Sequence, residues 1–538
     1  MTASRRRSLK RSLAISGFLA LAFAYFAVGY AADRPPTKNL LARAEALALA
    51  QRIDAAIGSR LDQEKLPASP LTSDAEFLRR VYLDITGVIP TGEKAKAFLD
   101  SKDAEKRVKL IDELLASPQY GRHMADIWSG LIIPKNSDNQ RLQPAPLHGW
   151  LEKQFNENKP WDQLVRDLLT ASGEQDENGA VTFFLANQTV DKMTDVASTL
   201  FLGVQLQCAQ CHNHPFTKWK QEEYWGMAMF FSKVRADNVR AAAKKNNTPG
   251  VSESNAPRGR NRQLPESAKV VPPKFLLGEQ PKLNDKDPYR PVLARWLTAP
   301  ENPFFAKAMV NRLWHQLFGR GFVNAVDDMH EGNKPSHPEL LSELSQQFIA
   351  GGFDVKQIIR SVCNSQAYQR SSKPSSGNAE DVALFSHMAV KVMSPEQLYD
   401  SLEQVLGKSE TPRGREAKKQ QQPQKGAPRS ERGQFVAFFQ TDDGADPTEY
   451  GAGIPQALRL MNSNRMNSVI ALVNQVAKPG AKPEQVMESL YLATLSRRPK
   501  AEETTRLLAH VRKTTDARKA YGDVLWALIN SSEFALNH

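Results

Sequence analysis

TSDAEFLRRVYLDITG, residues 72–87, is the stretch that decides the fold. Leu78, Val81, Tyr82 and Ile85 fall at i, i+3, i+4 and i+7, the spacing of one helical face, and Gly87 supplies a stop. The same period recurs in EKRVKLIDELLASPQYG (105–121), KPWDQLVRDLLTASG (159–173), NPFFAKAMVNRLWHQLFG (302–319), HPELLSELSQQFIAGG (337–352) and VMESLYLATLSRRP (486–499). Period-two alternation is scarce: VTFFLAN (181–187) and GQFVAFFQ (433–440) are the only runs that read as short strands. The expected fold class is mostly α, with few or no strands.

A chain of 538 residues exceeds what one apolar core usually organises. Two helical domains are expected, over 44–234 and 288–538, joined by a flexible basic linker at 235–287. From Arg235 the composition turns to Asn, Pro, Gly, Ser and Arg without an apolar period; a Lys/Arg/Gln/Pro-rich stretch near 408–433 reads as an insertion inside the C-terminal domain. These two segments and the basic N-terminus each carry about five excess positive charges, so the net +12 leaves the folded parts slightly acidic. That distribution speaks for solvated linkers and against a nucleic-acid groove, although such segments could touch anionic lipid or a cell-surface polymer. Two internal echoes have a structural meaning. Tyr82-Leu83 followed by Pro90 and Glu93 recurs at the same offset as Tyr491-Leu492, Pro499 and Glu502, which describes a helix end and the start of the next helix. ASPQY (116–120), NSQAY (364–368) and NSSEF (530–534) each close a helical run.

Residues 1–31 have the order of an export signal: bases at Arg5, Arg6, Arg7, Lys10 and Arg11, an apolar run from Leu13, then small residues before Asp33. If uncut, the run is just long enough to anchor the chain in a membrane. The protein is therefore expected in the periplasm or at the cell surface. Three cysteines cannot staple an exported chain of this length. Cys363 lies in a helical pattern and reads as a small buried hydrophobe.

The other two lie in CAQCHNHPF (208–216). C-x-x-C-H is the attachment signature of c-type haem: two thiols add to the porphyrin's two vinyl groups, and the adjacent imidazole ligates the iron. Cys208 and Cys211 would tether the haem, and His212 would be its axial ligand. His214 cannot lie opposite His212 on the same iron, because two residues span at most about 7 Å. Met227 and Met229 are far enough along to reach the sixth position, though both also suit a core. Zinc is the rival cofactor, with Cys208, Cys211, His212 and His214 as ligands, but four ligands within seven residues crowd a tetrahedral site. A 208–211 disulfide is the third alternative. Ser4 to Lys10 resembles a twin-arginine signal, which exports folded chains and so sits uneasily with haem attachment to unfolded chain.

Elsewhere, His315 reads as a core histidine. Asp327, Asp328, His330 and Glu331, with His337 nearby, form a polar turn that could hold a cation or simply open a helix. No G-x-S-x-G, H-E-x-x-H or phosphate loop is present, so a hydrolase is disfavoured against an electron carrier or redox accessory.

FLRRVYLDITGVIPT, LLASPQYG, FLGVQLQCAQCHNHPFTKWKQEEYWGMAMFFS, RPVLARWLTAPENPFFAKAMVNRLWHQLFGRGFV, MSPEQLYDSLEQV and INSSEFALNH together resemble the paired domains of unknown function numbered 1549 and 1553, abundant in planctomycete bacteria and called planctomycete cytochrome-type domains. The resemblance runs from about Asp74 to His538, apart from the basic segments. It implies association with cytochrome function, without the separate N-terminal cytochrome c-like domain that larger members carry. It departs at HMADIWSGLIIPKNSDNQ (123–140), where many relatives read a W-x-D-x-x-R-Y-A-D-like run. Two functions from different classes follow: an exported electron carrier with one covalent haem c and an unidentified redox partner, or a non-redox surface or scaffold protein whose CxxCHxH turn is clipped by a metal or a disulfide.

Overall fold

The computed structural model describes residues 37–134, 142–215, 217–237, 242, 247–255, 271–407, 430–439 and 470–538. The signal or anchor at 1–31 and most of the insertion near 408–433 lie outside them. Helices dominate, as expected. The first half comprises α1 (Thr37–Gln63), α2 (Asp74–Thr86), α3 (Gly92–Asp100), α4 (Lys106–Ala116), α5 (Pro118–Ile132), α6 (Ala145–Asn156), α7 (Trp161–Thr170), α8 (Thr182–Ala186), α9 (Val190–Ala197) and α10 (Gln221–Ala228). The second comprises α11 (Tyr289–Leu297), α12 (Phe305–Phe318), α13 (Pro338–Ala350), α14 (Val355–Asn364), α15 (Pro395–Leu406), α16 (Glu431–Phe439), α17 (Ile470–Val476), α18 (Pro483–Leu495), α19 (Ala501–Lys513), α20 (Ala517–Ile529) and α21 (Ser532–Ala535). Five short strands make two antiparallel scraps: β1 (Gly173–Glu174), β2 (Val234–Ala236) and β3 (Gly250–Glu253) in the order β1-β3-β2, and β4 (Lys391–Val392) beside β5 (Leu536–Asn537).

Both stretches read as strands are helical instead. VTFFLAN forms a 3-10 turn, Gly179–Val181, that runs into α8, and GQFVAFFQ falls in α16. A short, continuously apolar run carries no period, so packing on all sides decides its form: every residue of α8 is buried. Asn187 then closes it, its Nδ2 donating to Phe183 O (2.9 Å).

The echoes prove to be helix junctions. α2 ends at Gly87 and α18 at Ser496, both left-handed (φ +70 and +59), and α3 and α19 open a few residues on. In the second echo a serine folds the chain back: Ser117, Ser365 and Ser531 each accept a bond from a backbone N–H two or three residues ahead, at 3.2–3.4 Å. The aromatic that follows, Tyr120, Tyr368 or Phe534, is then driven fully into the core.

The apolar interior does not part at 235–287. One core runs from Leu49 to Met388 and takes in α11–α14, so residues on both sides of that segment share it. A second core runs from Met393 to Phe534. α2 and α18 interlock the two: Leu83 and Ile89 enter the second core, and Leu492 enters the first.

α2 is buried all round, from Phe77 to Thr86 without a gap. Its charges consequently point inward. Asp84 Oδ1 accepts from Lys391 Nζ (2.7 Å) and Asn537 Nδ2 (2.7 Å), and its Oδ2 accepts from Tyr368 OH (2.8 Å). Lys391 and Asn537 are register partners across β4 and β5, which places both donors on one carboxylate. The ammonium of Lys391 also caps α12, donating to Gln316 O (2.9 Å) and Leu317 O (2.7 Å). Cys363 is buried nearby, its thiol pushed up by burial, as expected of a small core residue.

Two stability predictions follow from these junctions. Asp84→Ala strands a buried ammonium and should cost about 3–5 kcal/mol in chemical denaturation; a loss below about 1 kcal/mol would refute the node. Ser496→Gly removes both a left-handed non-glycine residue and a buried hydroxyl that has no hydrogen-bond partner among the described residues. It should raise stability by about 1 kcal/mol, seen as a higher melting temperature.

Candidate functional site

α9 aims the cysteine stretch. Met193, Val196, Leu200, Phe201 and Val204 fall at helical spacing before the cysteines; Val196 is partly buried and the other four are buried. The helix loosens into a π turn, Ser198–Leu202, and stops at Gly203, which has φ +66. A Cβ there would also press on Met329 Sδ (3.2 Å) and Ala308 Cβ (3.3 Å), so glycine is required for two reasons. Gly203 O accepts from Met329 N (2.8 Å), tying the approach to the polar turn at 327–331.

The cysteines then sit on a 3-10 turn, Gln207–Gln210. Ala209 is its buried plug, while Cys208, Cys211 and His212 are exposed, both thiols free. α10 clamps the turn from its first residues: Gln221 Nε2 donates to Gln210 O (3.1 Å) and Cys211 O (2.8 Å), Trp225 Nε1 donates to Gln210 O (3.1 Å), and Asn213 Oδ1 accepts from Gln221 N (3.1 Å). The turn is fixed on a rigid helix although its reactive atoms face water.

The two histidines differ in tautomer. His212 Nδ1 lies 2.7 Å from Asn213 O; a carbonyl only accepts, so Nδ1 carries the proton and Nε2 keeps its lone pair. His214 Nδ1 accepts from Thr217 N (3.1 Å), which places that ring's proton on Nε2. His214 N also donates to Trp219 O (2.8 Å). One imidazole offers a ligating nitrogen and the other closes a turn. Among the described residues no three His, Cys, Asp or Glu side chains converge as metal ligands. Met227 is buried in the core, at 1 % exposure, whereas His212 is on the surface.

Beneath this turn Asp195 accepts from Tyr224 OH (3.1 Å). Burial pushes the Asp195 carboxyl up to about 6 and drives the Tyr224 phenol well above its usual range, with Asp195 and Cys211 adding to the latter.

Beyond His214 the chain lines a cleft of about 510 Å³, with Trp219, Phe304, Val323 and Met329 among its lining residues. His330 and Glu331 of the polar turn line it, Asp328 lies 3.6 Å from His330, and the turn's other two acids each have a cation of their own. Asp327 pairs with Arg312, and Glu331 pairs with Lys218 (2.6 Å). His330 Nδ1 accepts from Gly332 N (3.1 Å). His337 is buried at the entry to α13, held by Ser336 Oγ (3.0 Å), and burial pushes it down to about 4. His315 is half-buried in α12, beside fully buried Trp314.

The clamp residues Gln221 and Trp225, the Asp195–Tyr224 pair and the Trp219–Phe304 cleft escaped sequence reasoning. The i, i+4 spacing of Gln221 and Trp225 was visible; that both face back onto the cysteine turn depends on the reversal at 213–220.

Because Asp195 is raised by burial, the folded state holds its proton more tightly than the unfolded chain between about pH 4 and 6, and stability falls as pH rises through that window. Asp195→Asn keeps an acceptor for Tyr224 and removes the ionisation. Its melting temperature should exceed the parent's at pH 7.5, and the gap should close near pH 4; a gap independent of pH would contradict this.

Family models place the chain. One described as PSCyt2, a protein of unknown function (DUF1549), matches residues 52–236, and one described as PSD1, a protein of unknown function (DUF1553), matches residues 289–511. No curated protein and no solved structure matches. The first model spans α9, the cysteine turn and α10, and the second spans α12 and the polar turn across the cleft. The chain therefore carries both of these domains of unknown function, the first followed by the second.

Proposed function

We propose that this protein carries one covalently attached haem c on the Cys208–His212 turn and passes single electrons outside the cytoplasm, in the periplasm or at the cell surface. The observation that supports this most directly is the His212 imidazole, whose Nδ1–H is spent on Asn213 O at 2.7 Å and whose Nε2 lone pair is free to ligate.

The donor set fits a haem. Cys208 and Cys211 are exposed free thiols at the two ends of one turn, open to addition across two vinyl groups. Gln221, Trp225 and Asn213 hold that turn from α10, so the imidazole is oriented in advance. When bound, the haem supplies a one-electron iron couple. Gln207, Cys208, Cys211, His212 and Asn213 are all exposed, and an open edge of this kind favours the oxidised, more charged iron and a low potential. A zinc clip would need His214 as well, but its Nδ1 is occupied by Thr217 N and its Nε2 bears the proton.

The test is expression of the exported protein in a host with haem-attachment machinery. The purified chain should show a Soret band and a haem stain that survives denaturation. Cys208→Ala with Cys211→Ala should abolish the stain. His212→Ala should keep the stain and shift the spectrum, and His214→Ala should change neither. A parent protein with no Soret band and no stain would overturn the proposal.

A further inference from the structure

We propose that the cleft between the 217–219 turn and the 329–335 loop binds a flat aromatic molecule bearing one anionic group. None of its lining residues belongs to the cysteine turn, so the site stands independently of the haem.

Its volume, about 510 Å³, lies in the range of small-molecule sites. Two aromatic side chains line it: the Trp219 and Phe304 rings lie 6.3 Å apart, inclined at 59°, with Trp219 buried and Phe304 partly exposed. Pro303, Pro335 and Pro338 stand around it, and their fixed φ makes the walls rigid before any ligand arrives. The mouth carries Leu277, 49 % exposed and held at φ +53. A leucine rarely adopts that left-handed backbone, and here it keeps an apolar side chain in water beside an apolar cleft. Such strain at a surface leucine is accounted for if a ligand covers it.

The charges select the occupant further. Lys218 is answered by Glu331 at 2.6 Å, whereas Lys307, exposed on α12, makes no ion pair among the described residues. The cleft therefore presents one uncompensated positive charge over a mostly apolar surface. A neutral hydrocarbon would leave that ammonium without a partner. A sugar would leave Pro303, Pro335, Pro338, Val323, Leu341 and the two aromatic rings, most of the apolar lining, facing hydroxyls, although Thr217, His330 and Asn333 stand among them. A nucleotide would bring more negative charge than one lysine answers. A fused or conjugated ring system with a single carboxylate or sulfonate meets both requirements, lying against the partly exposed Phe304 ring and the prolines and pairing with Lys307.

Calorimetric titration of the full chain with three probes tests this: 2-naphthoate, the neutral 2-naphthalenemethanol and the non-planar cyclohexanecarboxylate. Naphthoate should bind with a Kd below about 1 mM and about tenfold more tightly than either control. Lys307→Glu, an exposed change that leaves the fold intact by circular dichroism, should weaken naphthoate about tenfold and leave naphthalenemethanol unchanged. Cys208→Ala with Cys211→Ala should leave naphthoate binding at parent strength even where haem is lost. Equal affinity for naphthoate and naphthalenemethanol, naphthoate affinity indifferent to Lys307→Glu, or no naphthoate heat up to a few millimolar would each overturn the proposal.

Discussion

Asp84 is the constraint on which the rest depends. A carboxylate and an ammonium have been taken out of water together, and each is saturated: the carboxylate by Lys391, Asn537 and Tyr368, the ammonium by Asp84 and two helix-end carbonyls. A buried pair of this kind stabilises little against an apolar replacement, but it permits only one arrangement of the elements that contribute to it. Those elements are α2, α12, the turn after α14, and the strands on either side of the second core. Arg79 and Arg80 extend the same logic along α2. Arg79 donates to Thr494 O (3.1 Å) and Phe534 O (2.6 Å), and Arg80 donates to Tyr368 O (2.7 Å) and Arg370 O (2.9 Å). One helix of the first family domain thus satisfies backbone carbonyls at three chain reversals in or just beyond the second.

This explains why the two matched domains do not behave as separate bodies. The core that supports the cysteine turn contains α11–α14 from the second domain, and the turn's approach is pinned by Met329 N on Gly203 O. The proposed electron-transfer site and the proposed ligand cleft are close along the chain, the cysteine stretch reaching His212 and the lining of the cleft beginning at Thr217. Hydrogen bonding divides the two histidines: His212, beside the cysteines, keeps a lone pair on Nε2, and His214 spends its Nδ1 acceptor on Thr217 N, where the lining of the cleft begins.

Much of this was legible in the residues. The helical class followed from the 3.6-residue period, the helix junctions from the two echoes, and the family from long stretches around the cysteines. The strands failed at 181–187 and 433–440 because an unbroken apolar run has no period to read, and tertiary packing chose the helix. The continuity of the core across 235–287 was hidden because composition reports where a chain is polar, not which apolar faces meet. The buried charges of α2 had a signal that went unused. Apolar residues on every side of FLRRVYLDIT leave no solvent face on which Arg79, Arg80 and Asp84 could lie. The tautomers of His212 and His214 were beyond the sequence, since each is set by one backbone group placed by a turn.

The central claim concerns what Cys208, Cys211 and His212 hold, and peptide mapping of the exported protein tests it most directly. Trypsin should release residues 193–218, bounded by Lys192 and Lys218, as a single peptide that contains the whole turn. The account predicts that this peptide carries a haem through two thioether bonds after denaturation, with the absorbance travelling with it on chromatography. The same peptide recovered without haem, as free thiols or as a 208–211 disulfide, from cells that attach haem to other exported proteins, would contradict it.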